Sequence, residues 1–135
     1  IKPFNYQSVF FTKIDYAEEI KNREKKIILN SLTSPFLLIT GIANPDPLVS
    51  YLEGKKLRFN HLRFSNHHQF SSLEIKKIKE KKSNKIILTT EKDFGRLESY
   101  FKSDVLFYLP ISMCFFNNEE TQRFQNLLKD TLVQA

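Results

Sequence analysis

Apolar residues in this chain gather in short runs separated by polar, turn-forming segments. Phe36-Leu37-Leu38-Ile39-Thr40 is continuous and of strand length, as expected of a strand covered on both faces. Gly41 ends it, and Asn44-Pro45-Asp46-Pro47 offers a helix cap with proline in the first turn. Leu48, Tyr51 and Leu52 then fall three and four apart on one helical face. Leu57 to Phe64 predicts a second strand, interrupted by Asn60-His61, and Ser65 to Gln69 a loop. Ser71 and Glu74 have the spacing of a capping box, with Phe70 and Ile75 placed as its hydrophobic staple. That helix runs through Ile78, presents Lys76, Lys77, Lys79, Lys81 and Lys82 largely to solvent, and stops at Ser83-Asn84.

Ile86 to Thr89 predicts a third strand of the buried type. Thr90 follows as a cap, with Glu91 and Asp93 in the first helical turn, where negative charge suits the helix dipole. Gly95 costs about 1 kcal/mol relative to alanine and predicts a short helix. Val105 to Leu109 is a fourth strand ended by Pro110, and Met113 to Phe116 a fifth apolar run. Asn118 caps a last helix with Phe124, Leu127, Leu128, Thr131 and Leu132 on one face. Ahead of all this, Val9 to Ile14 reads as a strand, and Glu18 to Lys26 as an exposed connection or a short polar helix.

Strands alternating with helices predict an α/β fold: a three-layer, Rossmann-like α/β/α arrangement of a mainly parallel sheet, preceded by a linker strand. Residues 1–33 are expected to form that strand and a charged connection, and 34–135 the domain. Functional groups in such sheets gather outside the carboxyl ends of the strands. Three polar clusters follow successive strands: Gly41 to Pro45, Ser65 to Gln69 and Thr89 to Asp93. They are expected to meet along one rim.

Composition narrows the class. The 135 residues suit one core, and 41% hydrophobic with 27% charged residues suits a globular domain. Most of the 13 Phe lie in apolar runs and read as core. A single cysteine, Cys114, cannot form an internal disulfide; it is expected to be buried and inert, in a reducing compartment. No run approaches the ~20 apolar residues of a membrane-spanning helix, and no signal peptide is visible. A start at Ile1 inside structured-looking sequence predicts an excerpt of a longer protein.

The net charge is +6, and Lys55 to Lys85 holds ten Lys or Arg against two Glu. Such a stretch attracts anionic surfaces or serves as a solvated helix face. It leaves open a basic α/β module that binds nucleic acid, against which the Lys-rich helix lacks interleaved aromatics. A non-catalytic interaction domain is a further alternative.

Candidate chemistry is sparse. His67 and His68 lie on the second loop, where histidine is the usual proton carrier near neutrality; adjacent residues point apart, so one at most faces a site. Thr90, Glu91, Lys92 and Asp93 supply a cap and three charges at a strand-to-helix turn, and Asn44 is a cap or a ligand contact. Cys114 and His61 lack ligand spacing to the histidine pair, so no metal site is expected. Gly54-Lys55-Lys56 superficially matches the end of a phosphate-binding loop, but Val49 stands where Gly is required and Lys56 where Ser or Thr is. The three glycines leave no other cradle, and no Gly-x-Ser-x-Gly elbow occurs. The chain carries a site edge without a complete catalytic set.

Thr40-Gly41-Ile42-Ala43-Asn44-Pro45, Phe64-Ser65-Asn66-His67-His68-Gln69-Phe70, Leu88-Thr89-Thr90-Glu91-Lys92-Asp93 and Tyr108-Leu109-Pro110-Ile111 stand in this order and spacing. Together they resemble the carboxyl-terminal domain of the tetraacyldisaccharide 4'-kinases, and Val9-Phe10-Phe11 with Tyr16 resembles the strand linking the two halves of those enzymes. The resemblance implies a peripheral kinase at the cytoplasmic face of the inner membrane. It would use ATP and Mg²⁺ to phosphorylate the 4'-hydroxyl of a lipid A precursor, tetraacyldisaccharide 1-phosphate, giving lipid IVA. It further implies two α/β/α domains joined by a two-stranded linker, with the Walker A loop, metal-binding carboxylates and catalytic aspartate in an amino-terminal P-loop domain outside this chain. The partners it implies are that domain, the lipid and an anionic membrane surface, with no nucleic acid. His67 matches the histidine of the family's Asp-His motif, thought to pair with the catalytic aspartate. Asn66 stands where the family usually has Asp, and cannot offset positive charge on an imidazolium. Asn44, Asn66, His68, Thr90, Glu91, Lys92 and Asp93 are the remaining candidates for the cleft or the interdomain surface.

Overall fold

A computed structural model describes residues 12–115 and 118–134. In chain order it contains β1 (Thr12–Tyr16), β2 (Glu19–Lys21), β3 (Lys26–Ile28), a 3₁₀ turn at Leu29–Ser31, β4 (Phe36–Thr40), α1 (Asp46–Gly54) and β5 (Phe59–Arg63). There follow α2 (Ser72–Lys82), β6 (Ile87–Thr90), α3 (Glu91–Leu97), a 3₁₀ turn at Glu98–Tyr100, β7 (Leu106–Leu109), β8 (Ile111–Phe115) and α4 (Asn118–Gln134). Ala17–Pro110 makes up one unit; β1, β8 and α4 belong to a second.

The larger unit is built on a six-stranded sheet in the order β3-β2-β7-β6-β4-β5. β5, β4, β6 and β7 run parallel, while β2 joins β7 and β3 joins β2 antiparallel. This is an α/β fold with a mostly parallel central sheet, as the alternating pattern predicts. All five residues of β4 are buried because both faces of this inner strand are covered. Leu37 and Ile39 point to the layer of Ile75, Ile78, Phe94 and Leu97 from α2 and α3. Phe36 and Leu38 alternate to the other face, where right-handed crossover places α1 with buried Leu48 and Leu52. Each such buried side chain contributes about 1.5–3 kcal/mol.

Local signals set the helix ends. Ser71 Oγ accepts the Glu74 N–H at 3.1 Å and Glu74 Oε1 accepts the Ser71 N–H at 3.0 Å, completing the predicted capping box. Thr90 caps α3, which has seven residues. At α1 the cap position falls on Pro45 rather than Asn44, although Asn44 Oδ1 still accepts the Asp46 N–H at 3.2 Å.

One expectation is corrected. Glu18 to Lys26 is neither an open connection nor a helix but the hairpin of β2 and β3, which extends the main sheet. Its turn is tied by Asn22, whose Oδ1 accepts the N–H groups of Glu24 and Lys25 and whose Nδ2 donates to the carbonyls of Ser103 and Leu106. Ile20 is then fully buried among charged neighbours. The fifth apolar run, as far as Phe115, lies in β8. This strand pairs antiparallel with β1, from Thr12 opposite Phe115 to Tyr16 opposite Ile111, in a separate two-stranded sheet. The Val9 to Phe11 part of the predicted first strand, and the side chains of Cys114, Asn118, Thr131 and Leu132, lie outside what is described. On α4, Phe124, Leu127 and Leu128 are 36%, 43% and 47% exposed.

Candidate functional site

β5 and β6 flank β4 on opposite sides, so the chain reverses its winding direction there. Such a switch point opens a crevice outside the carboxyl ends of the strands. The loop after β4 and the start of α3, which follows β6, meet there. The Gly41 N–H donates to Asp93 Oδ2 at 2.8 Å. The approach is close: a Cβ on Gly41 would lie 3.0 Å from Asp93 Oδ1 and 3.3 Å from the Ser65 carbonyl oxygen.

The loop after β5 folds over the same glycine. The Phe64 N–H donates to the Thr40 carbonyl at 2.7 Å, the His67 N–H to the Gly41 carbonyl at 3.1 Å and the His68 N–H to the Ser65 carbonyl at 3.2 Å. His67 sits at φ 58°, in the left-handed region. Few residues without a glycine's freedom adopt it, histidine among the more tolerant. This backbone sends adjacent side chains apart.

Asp93 is 0% exposed. A buried carboxylate needs donors, and this one has them. Thr90 Oγ1 donates to Oδ2 at 2.8 Å while accepting the Asp93 N–H at 3.1 Å, and Arg96 Nη1 donates to Oδ1 at 3.1 Å. Arg96 extends further: its Nη2 donates to His67 Nδ1 at 2.9 Å. A continuous chain of hydrogen bonds therefore runs from Gly41 through Asp93 and Arg96 to His67, whose ring is exposed on the rim.

His68 turns the other way. Its ring stacks on Phe64 with centroids 4.8 Å apart, meets Phe70 edge-on at 5.0 Å, and places Nε2 2.8 Å from Glu74 Oε2. The Glu74 carboxyl is held below its ordinary pKa, chiefly by the Ser71 backbone N–H and to a smaller extent by His68. His68 thus fastens the loop to the start of α2.

Of the other candidates, Thr90 and Asp93 belong to the hydrogen-bonded chain, Asp93 beneath the surface rather than on it. Asn44 and Asn66 are exposed on the loops, and Glu91 and Lys92 in the first turn of α3, at the same carboxyl edge of the sheet. Among the described residues none of these four hydrogen-bonds to His67. Arg96, from α3, holds the His67 ring, and sequence reading missed it. Its signal was the three-residue spacing from Asp93, which puts an acid and a base side by side on a helix. His61 lies elsewhere, with Nε2 2.8 Å from Thr40 Oγ1; burial, then the nearby Arg63 charge, push its pKa down.

Two concavities lie away from this rim. One of about 620 Å³ lies between the β2–β3 turn and Lys102 to Leu106, ahead of β7. Another, of about 510 Å³, is lined by Leu32 to Pro35 and Asn84 to Ile86, ahead of β4 and β6. Both lie at the amino ends of the parallel strands. Among the described residues no three of His, Cys, Asp and Glu converge as metal ligands. Gly41 is blocked by Asp93 and Ser65, Gly54 ends α1 and Gly95 lies within α3. No described helix is long and apolar enough to cross a membrane.

The chain is 45% identical over 113 residues to a tetraacyldisaccharide 4'-kinase of Flavobacterium psychrophilum, covering 83% of this chain and 32% of that protein. It is 30% identical over 142 residues to the Bacteroides fragilis protein of the same name, covering 93% and 38%. The chain thus spans about a third of the length of the curated relatives it matches. Its fold matches a crystal structure of LpxK from Aquifex aeolicus, described as in complex with ATP, with a TM-score of 0.57 at 14% identity, over 91% of this chain and 37% of that one. The family described as tetraacyldisaccharide-1-P 4'-kinase matches residues 4–132. With nearly the whole chain covered by that match, this protein belongs to the tetraacyldisaccharide-1-P 4'-kinase family.

Proposed function

We propose that this chain is the carboxyl-terminal part of a tetraacyldisaccharide 4'-kinase, and that its rim forms one wall of a phosphoryl-transfer cleft completed by an amino-terminal P-loop domain. The intact enzyme transfers the γ-phosphate of ATP to the 4'-hydroxyl of tetraacyldisaccharide 1-phosphate. Family membership supports this reading, as does the one-third coverage of the relatives. The single observation that carries it is the exposed His67 ring, anchored through Arg96 and buried Asp93 at the switch point of the sheet.

Among the described residues no three of His, Cys, Asp and Glu converge on a cation, and in this reading nucleotide and Mg²⁺ are both bound by the amino-terminal half. ATP supplies the transferred phosphoryl group and Mg²⁺ neutralises its charge. This chain supplies a placed imidazole that orients the carboxylate accepting the proton of the substrate hydroxyl. Asn66 need not serve His67 electrostatically, because the ring contact comes from Arg96. β1 paired with β8 is the connection between the halves.

In the intact enzyme, His67→Ala lowers kcat by ~10²-fold while the variant keeps the wild-type unfolding midpoint. Unchanged turnover would remove His67 from the mechanism. The exposed Lys76, Lys77, Lys79 and Lys81 of α2 are proposed to face the anionic cytoplasmic leaflet of the inner membrane that carries the lipid substrate. Flotation with anionic vesicles exceeds that with neutral ones in this reading; equal flotation rejects it.

A further inference from the structure

We propose that Arg96 is a positioning residue that fixes the tautomer and direction of His67, presenting Nε2–H to the rim. The proposal rests on the kinase reading for its functional half only.

A guanidinium carries only N–H donors and stays protonated. Arg96 Nη2 lies 2.9 Å from His67 Nδ1, so Nδ1 must accept and the neutral ring must carry its proton on Nε2. Arg96 is itself held: Nη1 donates to Asp93 Oδ1 at 3.1 Å, and its side chain is 24% exposed. Asp93 cannot follow a moving arginine. Its carboxylate is wholly buried and also takes the Gly41 N–H and the Thr90 hydroxyl. The His67 backbone is fixed independently by its N–H to Gly41 and its left-handed φ. The imidazole is therefore restrained at both ends of its side chain, with one ring nitrogen engaged.

The consequence is chemical. An imidazole that must hold a carboxylate across a cleft needs an N–H on its outward nitrogen. Left to itself, a solvent-exposed neutral ring exchanges its proton between the two nitrogens and turns about its side-chain bonds. Arg96 removes both freedoms without touching the reacting groups. It performs the service that a carboxylate or carbonyl performs for a metal-bound histidine, but with the opposite polarity, accepting nothing and donating to Nδ1.

Long-range ¹⁵N imidazole spectra of the ¹⁵N-labelled chain, recorded above the ordinary histidine titration range, test this directly. The wild type gives His67 essentially all as Nε2–H. Arg96→Met moves its ring nitrogens towards a mixture of tautomers while those of His61 and His68 stay in place, and Arg96→Lys restores the Nε2–H form. A mixed or Nδ1–H wild type overturns the clamp, whether or not the Met variant folds, and so does an Arg96→Met spectrum identical to the wild type. In the intact kinase, Arg96→Met lowers kcat about tenfold with KM for ATP unchanged, and Arg96→Lys recovers part of the loss. Loss with His67→Ala but none with Arg96→Met overturns the functional half. If His67→Ala leaves turnover intact, the kinase role of His67 fails, yet the spectra still decide the clamp.

Discussion

The carboxylate of Asp93 accepts the backbone N–H of Gly41 at 2.8 Å, joining residues 52 apart in sequence across the switch point of the sheet. Both groups are buried, and the bond brings the loop after β4 against the start of α3.

Gly41→Ala destabilises the chain by ~1–2 kcal/mol, the usual cost of one atom too many in a packed place. Gly41 does not have a positive φ, so the backbone itself tolerates alanine. In an open site the substitution would gain ~0.4–1 kcal/mol from the unfolded state. Here the new Cβ meets Asp93 Oδ1 at 3.0 Å and the Ser65 carbonyl at 3.3 Å. Urea denaturation decides the sign, and a stabilised variant would contradict the close packing.

Asp93→Asn costs about 3 kcal/mol, because whichever way the amide turns, a donor faces a donor. With its NH₂ at the Oδ2 position it opposes the Gly41 N–H and the Thr90 hydroxyl; at Oδ1 it opposes Arg96. A urea midpoint within error of the wild type would show that the carboxylate charge is not needed there.

His68→Ala lowers stability by about 2 kcal/mol, through loss of the Phe64 and Phe70 ring contacts and the Glu74 bond. In the intact enzyme its turnover per folded molecule stays at the wild-type value, the reverse of His67→Ala. A kcat loss with His68→Ala at full folding would exchange the roles of the two histidines.

Stability falls with acid through His61. Burial and Arg63 hold its folded pKa below 6.5, so between those two values the unfolded chain binds more protons. The stabilising contribution is complete above 6.5 and is lost as pH falls towards the folded value. Glu74, whose folded pKa also lies below its ordinary 4.5, adds a loss of the same sign at lower pH. His61→Gln keeps an amide beside Thr40 and removes the titration. Its urea midpoint should change less with pH from about 7 to 5; a slope equal to that of the parent sinks the assignment.

The sequence alone determined the alternating strands and helices, the capping box of α2 and the placing of three polar clusters after successive strands. These follow from period, turn chemistry and short-range hydrogen bonding, which need only neighbours in the chain. It did not disclose the β2–β3 hairpin, because Ile20 is a lone buried residue among charges and its Asn22 turn is completed by carbonyls of Ser103 and Leu106. Nor did it separate the two histidines. Tertiary structure decided that His68 packs against Phe64 and Phe70 while Arg96, 29 residues beyond His67, takes the other ring. A pattern along the chain reports which face a residue occupies; only the folded sheet decides which distant loops share a hydrogen bond.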